Sequence, residues 1–572
     1  MFTYKRDGFD LCGQWGFYPD PYERSIRQKW WEKTRNPLQV FPCYDEYTTL
    51  VEVPHSWNAQ NIELKFYEGT CIYLKEFEIL DHEKVKEQNE VWICFDGVNY
   101  HTKVYLNGHL VGTHDGGYSP FQLNITPHIA EKNKLWVVVN NERKTNRVPA
   151  LIYDWWNDGG IFRPVKVIYT PKTYIDNYFV TTQLNEDIVE ITFKVDVAGN
   201  RDEKTARYDI NIEELDIKME GIIPESGYIC QMFRISKEKI TLWEPANPKL
   251  YNIEIHIDND FIRDEVGFRE IKTCGREIHL NGKPIFLKGI NFHDEYNEYG
   301  RVANNVIMDR FFEEFKELGI NYIRMAHYPH AETFVRRADK EGIMLWAEIP
   351  VYWYVHWEQQ GVYEVAEQMM LEMIDRDQNR ASVIIWSVGN EMENKQYHAD
   401  YLIKLVNATK KADATRLVSY ACSWFQKADQ GNGGKPGMPD WLYESFDIVS
   451  VNNYSGCNGN GKPEDMEEII NEYAKYGKPV LMSEFGAISK IGCTGENDVF
   501  SEDLHVQLFT KQITTVLSNK NIKGLSPWEF HDTRTPLYQL HQSNMICRYG
   551  FLDENFNKKK VYGVLKKIYE TI

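Results

Sequence analysis

Two glutamates stand where strongly apolar runs give way to polar residues: Glu391 closes VIIWSVGNE and Glu484 closes PVLMSE. A charge at the end of a buried strand costs several kcal/mol unless it is paired or used, so core packing accounts for neither. Two carboxyls facing one another are what glycoside hydrolysis requires. One protonates the leaving oxygen, while the other attacks the anomeric carbon from about 5 Å away or activates a water across roughly 6.5–9.5 Å. The acid needs a pKa raised by its surroundings. The partner must stay ionised among hydrogen-bond donors, for which Arg324 and Tyr454 are candidates. Other polar or aromatic residues close comparable runs: Asn291, His293, His327, Glu348, Asn390, Trp424, Asn453 and Trp528. Trp528 suits a platform for a sugar ring, His293 and His327 are either sugar ligands or supports behind them, and Glu348 reads as a rim salt bridge.

The elements that position these residues follow from periodicity. From Glu270 onward eight apolar runs (IFLKGINFH, YIRMAHYP, MLWAEIP, VIIWSVGNE, LVSYACSW, IVSVNNY, PVLMSEFG, GLSPWEF) alternate with amphipathic segments such as MDRFFEEFKELG and YEVAEQMMLEMIDRD. Eight such units in about 300 residues predict a (β/α)8 TIM barrel, whose active site lies at the C-terminal ends of the strands. Glu391 then follows the fourth strand and Glu484 the seventh, across the mouth from one another. Upstream, short strands from about Leu11 to Tyr169 predict a jelly-roll-like β-sandwich, with the Asn-Gly of KVYLNGHLVGTH marking a hairpin. A second β-rich stretch, about Asn177 to Phe268, predicts an immunoglobulin-like sandwich. The expected domains are residues 1–172, 173–269 and 270–572, in keeping with a length of 572 that exceeds one core.

Several classes lack support. There is no phosphate-binding glycine loop, GxSxG elbow or HExxH helix. Glu529, His531 and Asp532 crowd one short turn, which seldom completes a metal site, so neither metal nor cofactor is expected. A net charge of −19 argues against nucleic acid or an anionic membrane as partner. No apolar stretch approaches the ~20 residues of a membrane span, and the start MFTYKRDGFDLCGQWGF lacks a secretory apolar core. The expected compartment is therefore the cytoplasm, and the 10 scattered cysteines read as reduced thiols. Aromatic residues at 14% are a hint of sugar-stacking faces.

WSVGNEMEN, LMSEFGA and NYIRMAHYP resemble glycoside hydrolase family 2, the β-galactosidase and β-glucuronidase family. The likeness runs through nearly the whole chain. VEVPHSWN, GVNYHTKVYLNGHLVGTHDGGYSPFQLNIT and DWWNDGGIFRPV resemble that family's sugar-binding sandwich, and GFREI with HLNGKPIFLKGIN its entry into the barrel. The resemblance implies a retaining exo-β-glycosidase in which Glu391 is the acid/base and Glu484 the nucleophile. It further implies that Asn390 holds the sugar 2-hydroxyl, that Tyr454 positions Glu484, and that Asp154 reaches the glycone's far hydroxyls from the sandwich. Read from residues alone, the Asp154 loop is an aromatic-rich turn at a domain interface. Assembly as a homo-oligomer is implied by the same analogy.

Length and the DWWNDGGI loop lie nearer the β-glucuronidase branch, yet one feature departs from it. Glucuronidases bind the sugar carboxylate with an Asn-x-Lys before a glycine. Here SNMICRYGFLDEN puts Cys547 and Tyr549 at those positions, with Asn544 and Arg548 close by. Neither Cys nor Tyr is the cation or amide a carboxylate wants. The expectation leans to a neutral glycone such as galactose. The alternatives are a β-glucuronide or β-galacturonide bound with the help of Arg548, and, more remotely, a carbohydrate-binding protein with an inactive barrel. The short PVYWYVHWEQQ after the third strand predicts an open cleft that accepts varied or larger aglycones.

Overall fold

The computed structural model describes residues 6, 8–32, 49–199, 206–393, 395–423, 438–457, 461–495, 498–537 and 544–572; Trp424 lies outside them. Two sandwiches precede a closed barrel, the architecture that the patterning predicts. The first sandwich pairs a four-stranded sheet with a six-stranded one. Its inward residues, among them Trp15, Phe17, Ile93, Val104, Val137 and Val167, form one core. The hairpin His101–Leu106 and His109–Asp115 turns at Asn107 and Gly108, whose φ values of 51° and 90° are the left-handed pair that an Asn-Gly turn supplies. The second sandwich sets a three-stranded sheet against a four-stranded one. The alternation in Ile188–Gly199, with Val189, Ile191, Phe193, Val195 and Val197 buried, is the period-two signature of one face packed inward.

The barrel closes in the order β1 (Leu287–His293), β2 (Tyr322–Ala326), β3 (Met344–Glu348), β4 (Val383–Asn390), β5 (Leu417–Ser423), β6 (Val449–Asn452), β7 (Val480–Glu484) and β8 (Ile522–Leu525). These are the eight apolar runs of the sequence, and their pairings are parallel. Strands covered on both faces are apolar on both, which is why these runs show no strict alternation and why their polar residues stand out. The first barrel helix, Asn305–Leu318, shows how the flanking layer is specified. The Asn304 side chain accepts from the backbone N–H groups of Val306 and Ile307, Gly319 ends the helix at φ 70°, and Met308, Phe311, Phe312, Phe315 and Leu318 are buried. That stripe packs on β1 through Phe292, whose ring centroid lies 5.2 Å from that of Phe311. Truncating such a phenylalanine to alanine costs about 3–5 kcal/mol. Among the described residues, no helix is long and apolar enough to cross a membrane.

Candidate active site

The C-terminal end of the barrel is built around one guanidinium. Arg324, from β2 and fully buried, donates to Glu484 Oε1 at 2.5 Å, to both oxygens of Glu348 at 2.9 and 3.1 Å, to Asn291 Oδ1 at 3.1 Å and to Asn390 Oδ1 at 2.7 Å. A buried cation is tolerated only with such saturation, and the two carboxylates it grips hold its own pKa up. Glu348 is thus no rim salt bridge: it is fully buried under the site, where it also accepts from Trp346 Nε1 at 2.9 Å and bonds His327 Nδ1 at 2.7 Å. Glu484 takes a second hydrogen bond from the Tyr454 hydroxyl at 2.8 Å. Burial raises the Glu484 pKa, and Arg324 and Tyr454 oppose that rise by favouring the ionised form.

Glu391 has the opposite surroundings. Among the described residues no cation bonds it: Oε1 accepts from Asn452 Nδ2 at 3.1 Å and Oε2 from Trp353 Nε1 at 3.0 Å. Burial first, and the charge of Glu484 second, push its pKa up to about 8, with the Trp353 and Asn452 hydrogen bonds pulling the other way. Two carboxyls whose environments drive them apart are the arrangement that separates an acid from a base or nucleophile. The turn that presents Glu391 holds it in the left-handed region at φ 50° and is tied down by Glu391 N–H to Ala421 O at 2.9 Å and Asn390 N–H to Val351 O at 2.8 Å. Asn390 accepts from Arg324 and Asn452 through Oδ1, which leaves its buried Nδ2 without a partner among the described residues and available to a ligand hydroxyl.

The far wall comes from another domain. The loop around Asp154 leaves the first sandwich and is anchored to the barrel by Arg534 to Asp158 at 2.7 Å, Trp156 N–H to Arg534 O at 3.1 Å, and Arg163 to Pro329 O at 2.7 Å. Trp155 packs beside His327 and Tyr352, at ring separations of 5.7 and 5.0 Å. Asp154 is bonded by Tyr352, and its pKa is pushed up to about 7, chiefly by burial; its buried Oδ1 has no protein partner. The interface reading of this loop is therefore incomplete, because the interface delivers a carboxyl into the barrel mouth. His293 bonds the Tyr328 hydroxyl at 2.8 Å, and Trp528 stacks on His327 at 5.0 Å with its plane near edge-on to His293. Burial holds both imidazoles neutral. Glu348 Oε1 and Arg324 Nη2 both lie on His327 Nδ1, at 2.7 and 3.3 Å, so its other nitrogen, Nε2, is the one that neither of them takes. The ligand atoms of Asp154, His293 and His327 lie within 4.8 Å of one another, a spacing that a divalent ion or sugar hydroxyls could bridge.

Two expected residues are not among those gathered. The Asn453 side chain caps its own turn, accepting from Ser455 N–H at 3.0 Å. Asn452 serves instead, bonded to both Asn390 and Glu391, because the register with β7 shifts at Val451/Asn452 and re-aims the strand end. Arg548 is engaged by carboxylates, Asp532 at 3.0 Å and also Glu554, and Asp532 is in turn held by the buried Lys559 at 2.6 Å. It is thus no unengaged cation waiting for a sugar carboxylate. Cys547 is bonded to Glu529 and feels the charges of Glu529 and Asp154, while burial drives the Glu529 pKa well above the usual carboxylate range. Asn452, Tyr352 and Trp353 were not singled out as site residues from sequence. For the two aromatics the signal was their place directly after β3.

Three family models match in sequence along the chain: the glycosyl hydrolases family 2 sugar binding domain over residues 9–171, the glycosyl hydrolases family 2 domain over 173–269, and the family's TIM barrel domain over 270–534. The β-glucuronidase of Streptococcus agalactiae is 26% identical over 625 aligned positions, covering 100% of this chain and 98% of its own. The human β-glucuronidase is 24% identical, covering 93% and 86%. Among solved structures, the Ruminococcus gnavus β-glucuronidase superposes with a TM-score of 0.86 at 24% identity, covering 100% and 99%. A β-galacturonidase from Eisenbergiella tayi bound to galacturonate gives 0.83 at 23%, covering 99% and 98%. With every domain matched in order and two unlike carboxyls at the barrel mouth, the chain belongs to glycosyl hydrolases family 2 and is a glycoside hydrolase.

Proposed function

We propose that this protein is a retaining exo-β-glycosidase that releases a terminal β-linked uronosyl residue, glucuronosyl or galacturonosyl. The observation that carries the reaction type is the contrast between Glu391, pushed up to about 8 and bonded by the neutral donors Trp353 and Asn452, and Glu484, gripped by Arg324 and Tyr454. Glu484 attacks the anomeric carbon while Glu391 gives its proton to the glycosidic oxygen, so the C–O bond breaks and the aglycone leaves as a neutral alcohol. Glu391, now ionised, takes a proton from water, which displaces Glu484 and restores the β configuration. Asn390 Nδ2 and Asp154 Oδ1, buried and without protein partners, are placed for glycone hydroxyls. The Asp154 loop, delivered from the first sandwich beside Tyr352, His293 and His327, supports exo action by walling the glycone side of the barrel mouth.

The uronide glycone corrects the lean toward galactose. Support comes from relatives that align over nearly the whole chain and are named β-glucuronidases, and from a structural neighbour named as a β-galacturonidase. One observation favours a neutral glycone as the second reading: Cys547 is bonded to Glu529, and a thiol and a carboxyl supply no cation for a sugar carboxylate. The test is hydrolysis of aryl β-D-glucuronide, β-D-galacturonide, β-D-galactoside and β-D-glucoside by the purified protein and by Arg548→Ala. Highest kcat/KM on a uronide is expected; if Arg548→Ala then removes it, Arg548 exchanges Glu554 for the substrate. A preference for a neutral sugar, indifferent to Arg548, overturns the uronide reading.

A further inference from the structure

Three consecutive aromatic residues after β3 lead outward from the glycone pocket. Tyr352, buried, bonds Asp154. Trp353, half-buried, donates its indole N–H to Glu391 Oε2 at 3.0 Å. Tyr354 is 46% exposed at the surface. The rings are contiguous, 4.6 Å from Tyr352 to Trp353 and 6.5 Å from Trp353 to Tyr354.

Trp353 is held to the acid from two directions. Its side chain bonds Glu391, and its backbone N–H donates to Asn390 O at 3.2 Å, while Tyr352 pairs with Asn390 as a parallel bridge that prolongs the barrel sheet. Both Trp353 and Glu391 adopt left-handed backbone conformations, at φ 48° and 50°. Non-glycine residues there are strained and persist where surrounding contacts enforce them, characteristically at ligand-binding sites.

The atom that Glu391 protonates is the oxygen joining glycone to aglycone, so the first aglycone atoms must lie against Glu391. The side chain already touching its outer oxygen is Trp353, and the next ring toward solvent is Tyr354. We propose that Trp353 and Tyr354 form the aglycone subsite, selecting a planar aromatic aglycone, and that Trp353 is at the same time a positioning residue for the Glu391 carboxyl. The ring supplies a flat apolar face. The indole N–H fixes the carboxyl orientation and, by favouring its ionised form, keeps the acid from rising still further. This sharpens the expectation drawn from PVYWYVHWEQQ by putting aromatic rings on the Glu391 side of the aglycone site. The inference rests on Glu391 being the proton donor.

The experiment compares phenyl and 2-naphthyl glycosides of whichever sugar the substrate panel selects, since these leaving groups are of nearly equal acidity and differ in ring area. Wild type should favour 2-naphthyl by about 2- to 10-fold in kcat/KM, the range of one aromatic stacking contact. Trp353→Ala should bring the ratio close to one. Trp353→Phe should retain it while moving the alkaline limb of the kcat/KM profile to higher pH, because it keeps the ring and loses the N–H. Tyr354→Ala, at an exposed position that tolerates truncation, should lower the ratio and leave the limb in place. A ratio unchanged in both alanine variants overturns the subsite, and an unmoved limb in Trp353→Phe overturns the positioning role. Failure of the underlying proton-donor assignment is recognised separately, by Glu391→Ala keeping wild-type rates.

Discussion

Removing the Glu391 carboxyl is the sharpest test of the assignment. With a pKa of about 8, about 90% of Glu391 is protonated at pH 7, whereas at the ordinary 4.5 only about 0.3% is. The site thus raises the population of the competent acid by roughly two to three orders of magnitude. The sign is definite: activity requires the protonated form, so kcat/KM falls as pH rises through about 8. Glu391→Ala should lower kcat/KM about 10²- to 10⁴-fold on a phenyl glycoside, whose leaving oxygen needs the proton, and abolish the alkaline limb. On a 2,4-dinitrophenyl glycoside the first step should be nearly spared, leaving slow breakdown of the glycosyl-enzyme and a burst of phenol in the first turnover. The assay is kcat/KM between pH 5 and 9 on both substrates, with stopped-flow detection of the burst. Equal losses on the two substrates, or an alkaline limb that survives in Glu391→Ala, would show that another group donates the proton.

Other expectations are simpler. Glu484→Gln should abolish turnover, with circular dichroism and Tm close to wild type; near-native rates would disprove the nucleophile assignment. Because the folded-state pKa of Glu391 is raised, the wild-type protein loses stability as pH rises from the ordinary carboxylate range toward about 8. Glu391→Gln should therefore raise Tm at pH 7 and leave it unchanged at pH 4, as differential scanning calorimetry would record. Arg324→Met strands Glu348 and Glu484 without their cation and should destabilise the barrel by about 3–5 kcal/mol in denaturant unfolding; a neutral effect would mean that both carboxyls are protonated in the fold. Asp154→Ala should cut kcat/KM about 10- to 100-fold, the worth of a charge-assisted hydrogen bond to a glycone hydroxyl, and an unchanged value would remove Asp154 from the glycone wall.

The barrel was readable in the sequence because a strand covered on both faces and a helix covered on one leave different, length-limited patterns. The same patterning put Glu391 and Glu484 at strand ends, and strand ends of such a barrel converge on one mouth. Side-chain aim was not readable. The choice of Asn452 over Asn453 depends on a register shift between two strands far apart in sequence, and a one-residue shift reverses which face a side chain takes. Glu348 looked like a surface ion-pair residue because its partners Arg324 and His327 reach it only when the neighbouring strand pairs with its own.

What the sequence determined by itself was the layering of the chain and the identity of the two carboxyls, since both follow from local periodicity and residue type. Only the tertiary structure decided which carboxyl is gripped by a cation and which is bonded by Trp353 and Asn452, and where Arg548 spends its charge. Those properties arise from burial and from distances between residues on different strands and domains, and neither quantity exists until the chain has folded.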